Sequence, residues 1–525
     1  MRRSYEISSA AGVGLALALA ATAMQSSCFF TFDIDDCSQY PSAKCFDGGS
    51  GADGGDGGEG GPPPSCIPSE NVSAVPDMCG VFVSSSKGND MTGKGTQAAP
   101  YATLAKALAV AKGKPVYACG EAFTEALSIT EGATLFGALD CGHGWTYKAS
   151  TRTQLTAGAN MIPMTLASMA SGTAVHDFAI TSADASAMGG SSIAVLDSQA
   201  DLTLDNVDVV AGMGAPGAPG MAQQQVTTPS GAQGGNGMDD AMCNMSTIIA
   251  GGAGGTNTCS GMMTNGGNGG KGLPGSTGDD GTTGLPMMMT SNGGAGQSTT
   301  QQCQPGQQGA QGSAGMSGTG ARGIGSVSAA GYQGPTGALG GAGNPGQGGG
   351  GGGAALACDA PMDTFSGPSG GGGGAGGCGG AAGNLGQSGG SSIGILVLSA
   401  NLTLMNVTIT ANGGGAGGLG GNGQKGAAGG QPGTAGGANA CIGGPGGQGG
   451  TGGPGGGGAG GHSVGIAIDG GSLPDLGTST INATGAGTGG SGGNMDMTAQ
   501  TKGDDGKACK TLDFGKPMSP TACAM

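Results

Sequence analysis

Two stretches of the chain, SSIAVLDSQADLTLDNVDVVAG from Ser191 and SSIGILVLSANLTLMNVTITAN from Ser391, carry the residues best spaced for chemistry. In the first, Asp201 and Asp205 take outward positions on one predicted strand and Asp208 on the next. Paired carboxylates serve inverting glycoside hydrolysis, and carboxylates around calcium with a nearby base serve proton abstraction in a polysaccharide lyase. The second copy has Asn401, Met405 and Thr408 at those places, and no Arg or Lys stands between Asp201 and Asp205. These residues therefore read as surface acidity, and no catalytic residue is assigned.

The other reactive side chains are scattered. Asp239-Asp240, Asp279-Asp280 and Asp504-Asp505 sit beside glycines or other flexible residues and read as solvated loop charge. Weak calcium binding there would need backbone carbonyls folded around them. His143, His176 and His462 form no local ligand group, and there is no Cys-x-x-Cys pair, so neither a metal site nor a cofactor is expected. Gly461-His462-Ser463-Val464-Gly465 places a serine between glycines, but it opens a predicted strand and lacks the strand-to-helix elbow of a serine hydrolase. Trp145 is expected to pack over the first strands, since aromatics are too few for a saccharide track.

Composition narrows the classes further. Of 525 residues 127 are glycine, which adds no side chain to a core and loses the most backbone entropy on ordering, so folding energy must come from apolar islands between the glycine tracts. Acidic residues outnumber basic ones 33 to 17 without a basic patch, which argues against a nucleic-acid partner. Arg2 and Arg3 precede an apolar run from Ala10 to Ala23 that is too short to span a bilayer, so residues 1–27 read as an export signal. Ala21-Thr22-Ala23 fits an ordinary cleavage site. Gln25-Ser26-Ser27-Cys28 resembles a bacterial lipoprotein box, with Gln25 where that box has Leu, and makes Cys28 the lipidation site. The chain is then an outer-membrane or cell-surface lipoprotein anchored in membrane lipid, or alternatively a secreted protein. Setting Cys28 aside leaves an even number of the 15 cysteines for disulfides in an oxidising compartment. Cys66 with Cys79, Cys119 with Cys141, Cys243 with Cys259 and Cys509 with Cys523 are candidate pairs.

Residues 28–79, with the glycine, acid and proline run Gly49 to Pro64, read as a flexible tether. From residue 80 the pattern changes. Val81 and Val83 alternate as a strand, Tyr101 to Ala111 has helical spacing, and Val116-Cys119, Leu127-Ile129 and Thr134-Phe136 return as short strands. A helix before successive short strands suits the capped end of a solenoid. In the two quoted stretches Ile193, Val195, Leu202, Leu204, Val207 and Val209, and in turn Ile393, Ile395, Val397, Leu402, Leu404, Val407 and Ile409, alternate with polar residues and form the expected rung core. Parity flips between Val397 and Leu402 and between Leu404 and Val407, so turns there give three strands per rung. Asn206 and Asn406 fall at the second bend, where asparagine tolerates a left-handed backbone and where stacked copies would form an amide ladder. His176 to Thr181, Val464 to Ile468 and Ala321 to Ala329 supply further rung fragments, for roughly six to nine rungs. Pro474 and Asp475 interrupt the pattern that Val464 to Ile468 opens, as at an end rung or a bulged insertion.

The segment VFVSSSKGND followed by APYATLAKALAVAKGK closely resembles the start of bacterial secreted proteins with the pectin-lyase-like fold. The chain is also similar to glycine-rich, PGRS-like secreted or lipoprotein β-helices of myxobacteria. The resemblance implies an all-β, right-handed single-stranded parallel β-helix over 80–525 with a short N-terminal capping helix and long glycine-rich loop insertions near 211–320, 331–390 and 411–461. We read a glycine at every third residue as brief, as in Gly214 to Gly220, which excludes collagen, and expect loosely packed, disulfide-pinned loops on one side of the solenoid. The leading function is a non-enzymatic structural or adhesion-type protein that displays these loops to an extracellular matrix or polysaccharide. The alternative, implied by the fold family, is a polysaccharide lyase or glycoside hydrolase.

Overall fold

The computed structural model describes residues 65–71, 73–221, 230–239, 246–287, 291–358, 365–516 and 523–524. The expected export signal, Cys28 and most of the expected tether lie outside them. The regular elements of the described chain are mostly β-strands, with one α-helix, Leu104–Ala111, and its main sheets are parallel. Among the described residues no helix is long and apolar enough to cross a membrane.

Three sheets carry the core. Sheet I orders Val81–Val83, Val116–Cys119, Thr134–Asp140, Thr173–His176, Leu202–Asp205 and Leu402–Met405. Sheet II orders Ala122–Thr124, Thr153–Thr156, Phe178–Thr181, Asp208–Ala211, Thr408–Ala411 and Thr480–Ala483. Sheet III runs from Leu127–Ile129 through Met164–Leu166, Ser192–Ser198, Ser392–Ala400 and Ser463–Gly471 to Ala508–Asp513. From Val116 onward the chain visits the sheets in the repeating order I, II, III. Pro474 and Asp475 mark the point where sheet I ends: the chain goes from Ser463–Gly471 in sheet III straight to Thr480–Ala483 in sheet II.

Register explains the repeated sequence. Ile193 pairs with Ile393, Leu202 with Leu402 and Val209 with Ile409, so stretches 200 positions apart are adjacent layers. Each sheet then presents an apolar column inward. In sheet II the column is Phe123, Leu155, Ile180, Val209, Ile409 and Ile481, all buried. In sheet I it includes Leu135, Val175, Leu204 and Leu404. Val195, Leu202, Val207, Ile395, Val397, Leu402, Val407 and Ile409 share this main cluster. Ile193 and Ile393 do not. They lie in a second cluster with Leu196, Leu396, Ile324 and Val327 on the other face of sheet III. Both Ala194 and Val195 join the main cluster, so alternation slips by one residue there and turns Ile193 outward. Gly394 occupies the next layer at that slip, where a Cβ would overlap Ile409 Cγ2.

The helix caps the first layers through buried Leu104, Ala107 and Ala111. Thr103 Oγ1 accepts from Lys106 N–H, and the Glu125 carboxylate takes the N–H groups of Leu104 and Ala105 at 2.8 and 3.0 Å. The serines of VFVSSSKGND clamp Glu121, with Ser85 Oγ at 2.9 Å and Ser86 Oγ at 2.6 Å. Burial pushes the Glu121 carboxyl up, but these hydrogen bonds outweigh it and hold it low. Ala321 to Ala329 is not a rung: Ser326–Ser328 pairs antiparallel with Gly331–Gln333 in a hairpin over sheet III.

The glycine tracts form a hydrogen-bonded lattice, which corrects the expectation of loosely packed loops. Gly340, Gly343, Gly346, Gly349, Gly352 and Ala355 donate to Gly383, Gly380, Gly377, Gly374, Gly371 and Pro368 at 2.8–3.1 Å, an antiparallel pairing with a strict period of three. Gly374, Gly377, Gly380 and Gly383 donate to Gly444, Gly447, Gly450 and Gly453 in parallel, and those donate to Gly350, Gln347, Asn344 and Gly341. Three segments thereby close on one another. A three-residue turn with no hydrogen bonds of its own is the polyproline II geometry, which aims successive backbone groups at three different neighbours. Buried backbone groups need partners, and here neighbouring glycine segments provide them. Gly348–Gly353 donates to three segments, at Leu285 and Thr282, at Gly374 and Gly371, and at Gln307 and Gln304. It accepts from three others, at Gly267 and Gly270, at Gly444 and Cys441, and at Gly294.

These segments all leave the end of sheet II and return to the start of sheet III, as successive excursions from one corner. The stretch after Thr480–Ala483 joins them through Gly487, Gly490 and Gly493. Disulfides pin the structure. Cys119 is bonded to Cys141 and Cys509 to Cys523, while Cys303–Cys441 and Cys259–Cys378 tie lattice segments together. Cys259 therefore does not pair with Cys243, which lies outside the described residues. Cys66, Cys79 and Cys358 are also disulfide-bonded.

Candidate functional site

The polar cluster that joins most layers lies at the bend between sheets I and II. Asp177, Asn206 and Asn406 occupy this bend in successive layers with φ of 60°, 53° and 52°. Aspartate and asparagine enter this left-handed region more easily than other residues with a Cβ. Asn406 Nδ2 donates to Asn206 Oδ1 at 3.0 Å, Asn206 Nδ2 donates to Asp177 Oδ1, and Tyr147 Oη donates to the same oxygen at 2.9 Å. Arg152 Nη2 donates to Asn206 Oδ1 at 2.6 Å, and its Nη1 pairs with Asp208. Burial, then the bond to Asp177, pushes the Tyr147 hydroxyl up to about 12.

A second column approaches the cluster along the outer face of sheet I. In-register pairing stacks Phe82 on Tyr117, Tyr117 on Phe136 and Phe136 on His176, with ring centroids 5.0, 5.5 and 4.8 Å apart. Trp145 packs edge-on against Phe82 at 5.0 Å. The column ends where His176 Nδ1 meets Asp205 Oδ2 at 3.2 Å. Beside it an open cleft of about 460 Å³ is lined by Gly120, Thr151, Arg152, Gln154, Ala179 and Asp208.

This arrangement satisfies its own polar groups. Asp205 is turned to His176 and Asp208 to Arg152, while Asp201 accepts from Asn401 Nδ2 and Ser171 Oγ at 2.8 and 2.9 Å. The three aspartates singled out by sequence therefore serve three separate contacts. The histidines are equally dispersed. His143 Nδ1 lies 3.0 Å from Asp140, whose carboxyl that contact holds low. His462 is buried, accepts from Lys507 N–H at Nδ1 and meets the Ile324 carbonyl at Nε2, and burial pushes its pKa down. Ser463 Oγ donates to the Ala411 carbonyl at 3.1 Å, deep inside the fold. Asp280 takes Gly296 N–H, Asp504 takes Arg322 and Gly323 N–H, and Asp505 takes Lys502 and Gly489 N–H. Asp240 lies outside the described residues, as does Cys28. Among the described residues no group of three or more His, Cys, Asp or Glu is placed to hold a metal ion.

The bend tests the ladder's contribution. Asn206→Gly, which keeps the backbone conformation and removes the amide, should lower stability by about 1–3 kcal/mol because Asp177 loses a donor. Asn206→Ala should lose about 1–2 kcal/mol more, the strain of a left-handed residue with a Cβ. Denaturant midpoints of both variants check the order.

Sequence reasoning missed Asp197. It occupies the sheet III column between Leu166 and Val397, fully buried, with Oδ1 accepting from Ala200 N–H at 3.1 Å and Oδ2 without a hydrogen-bond partner. Burial first, and Asp201 in addition, pushes its carboxyl up to about 7 against the bond from Ala200. Its signal was present in the repeat: two residues after inward Val195, at the place where the second copy has Val397.

No family model matches the chain, and no curated protein or solved structure was found to be similar to it.

Proposed function

We propose that the protein is an exported, non-enzymatic structural module in which a right-handed parallel β-helix carries a stiff glycine bundle at the cell surface or in the extracellular space. The observation that carries this reading is the lattice: the described glycine segments between sheets II and III are bonded backbone to backbone at intervals of three residues, and through every N–H of Gly348–Gly353. The right hand is the sense that parallel strand-to-strand crossovers almost always take. The cyclic order of the three sheets supports the β-helix, and the closed polar network at the bend supports a role in holding layers together. Lipid on Cys28 would provide attachment, and the rigid bundle would set spacing or present a surface to matrix or polysaccharide.

The decisive experiment incubates the purified exported chain with a panel of acidic and neutral polysaccharides, with and without calcium, and follows reducing ends and unsaturated products. No turnover is expected. Reproducible cleavage that disappears in Arg152→Ala would overturn the structural reading in favour of a lyase or hydrolase at the cleft. Intact-mass analysis of the mature amino terminus should find a lipid-modified Cys28; a free terminus at Met24 would make the protein a secreted one.

A further inference from the structure

The fold sorts its aliphatic and thioether side chains to opposite sides. Of sixteen described methionines fifteen are exposed, and Met164 is buried. Leucine, isoleucine and valine behave oppositely: they fill both cores, and among the described residues six leucines and isoleucines are exposed. Methionine is ordinarily among the residues most often buried, so burial preference does not produce this pattern. The exposed sulfurs occupy distinct settings. Met91, at 95% exposure, lies in the loop before the helix, and Met316, at 84%, takes an outward place on the lattice segment marked by Gly306, Gly309, Gly312 and Gly315. Met405 stands on the outer face of sheet I in register with Asp205. Every described cysteine is in a disulfide, and Trp145 and Tyr117 are buried. Among the described residues thioethers are therefore the readily oxidised sulfur groups that solvent meets first.

We propose that the exposed methionines are a sacrificial layer that consumes two-electron oxidants of the hydroperoxide and hypohalous acid classes. The sulfur lone pair attacks the distal oxygen of a hydroperoxide. An S–O bond forms as the O–O bond breaks, and the proton of the distal oxygen passes to the departing oxygen, so thioether and hydroperoxide give sulfoxide and alcohol, or water from hydrogen peroxide. With hypochlorous acid the products are sulfoxide, chloride and a proton. Sulfur is oxidised by two electrons and the oxidant reduced by two. Sulfoxide is polar, and in a core it disrupts packing; on these exposed positions it forms in water and leaves both cores intact. The disulfide-locked cysteines offer no competing thiol among the described residues.

The test titrates the full exported chain with hydrogen peroxide, and separately with hypochlorous acid, and follows intact mass, peptide maps and the melting curve. Oxygen should add at the exposed methionines before Met164 and before the melting temperature moves. A variant with Met78, Met91, Met316, Met405, Met495 and Met497 changed to leucine should melt like the parent and protect a co-incubated oxidant-sensitive reporter enzyme less, in proportion to the sulfurs removed. Loss of folding with the first oxygens added, oxidation of Met164 in step with the others, or undiminished protection by the leucine variant would overturn the proposal. The peptide map of the parent chain stands even if that variant fails to fold.

Discussion

Gly351→Ala should destabilise the glycine bundle by about 3 kcal/mol or more, at the upper end of what overpacking produces. A Cβ at this position would overlap the Asn268 carbonyl and come within 2.7 Å of Gly269 N. Those atoms are backbone and cannot rotate away. Gly351 also donates to Thr282 and accepts from Gly294 at 2.9 and 2.8 Å, so relief by displacement would break bonds to two segments at once. Gly158→Ala is the control, because the added methyl would meet only Met161 Sδ at 3.6 Å, and its effect should stay within about 0.5 kcal/mol. Thermal and denaturant unfolding of the two variants measure the contrast; equal, small effects would mean that the segments are not packed backbone to backbone.

Asp197→Asn should stabilise the protein at pH 8 and remove the fall in stability that this buried carboxyl is expected to produce between pH 4 and 7. The folded-state carboxyl, at about 7, binds its proton more tightly than in the unfolded chain, where the ordinary value is 3.8. Below pH 4 both states are protonated and the group is neutral to stability. Between pH 4 and 7 the unfolded chain ionises while the folded one does not, so stability falls by about 1.4 kcal/mol per pH unit, about 4 kcal/mol in all. Above pH 7 the loss is complete and the profile levels. Asparagine keeps an oxygen for Ala200 N–H and carries no charge, so the variant should gain several kcal/mol at pH 8 and little at pH 4. Unfolding midpoints across this range decide it, and an unchanged slope in the variant would contradict the buried, proton-holding carboxyl.

Much of the parallel-sheet architecture was legible because strand alternation is a local property. Leu202-x-Leu204 and Leu402-x-Leu404 each state which side faces inward, and Asn206 and Asn406 mark the bend through a residue type that tolerates positive φ. Ile193 and Ile393 escaped that logic because one slip at Ala194 changes the face, and alternation alone does not reveal a slip. The lattice was missed for a different reason. Its period is three and its partners are other glycine segments, so neither apolar pattern nor strand alternation registers it. The signal is nonetheless in the sequence. Gly306, Gly309, Gly312, Gly315 and Gly318 place one glycine in three on an edge segment, two in three mark GGPGGQGGTGGPGG from Gly443, and Gly348–Gly353 is all glycine. Gln448 and Thr451 are less buried than the paired glycines around them, while Gly348–Gly353 is buried throughout. The number of glycines per three residues thus follows the number of faces that meet another backbone. The candidate site was less legible, since Tyr147, on the two-residue strand Thr146–Tyr147, and Arg152, just before Thr153–Thr156, reach the bend from segments too short to show a periodic pattern.

Amide hydrogen exchange across Gly346–Ala355 tests the lattice most directly. Each backbone N–H in Gly348–Gly353 donates to a neighbouring segment, so deuterium uptake there should be as slow as in the sheet III strand Ser392–Ala400 despite the absence of helix or strand. Uptake at the rate of an unstructured glycine chain would contradict the account.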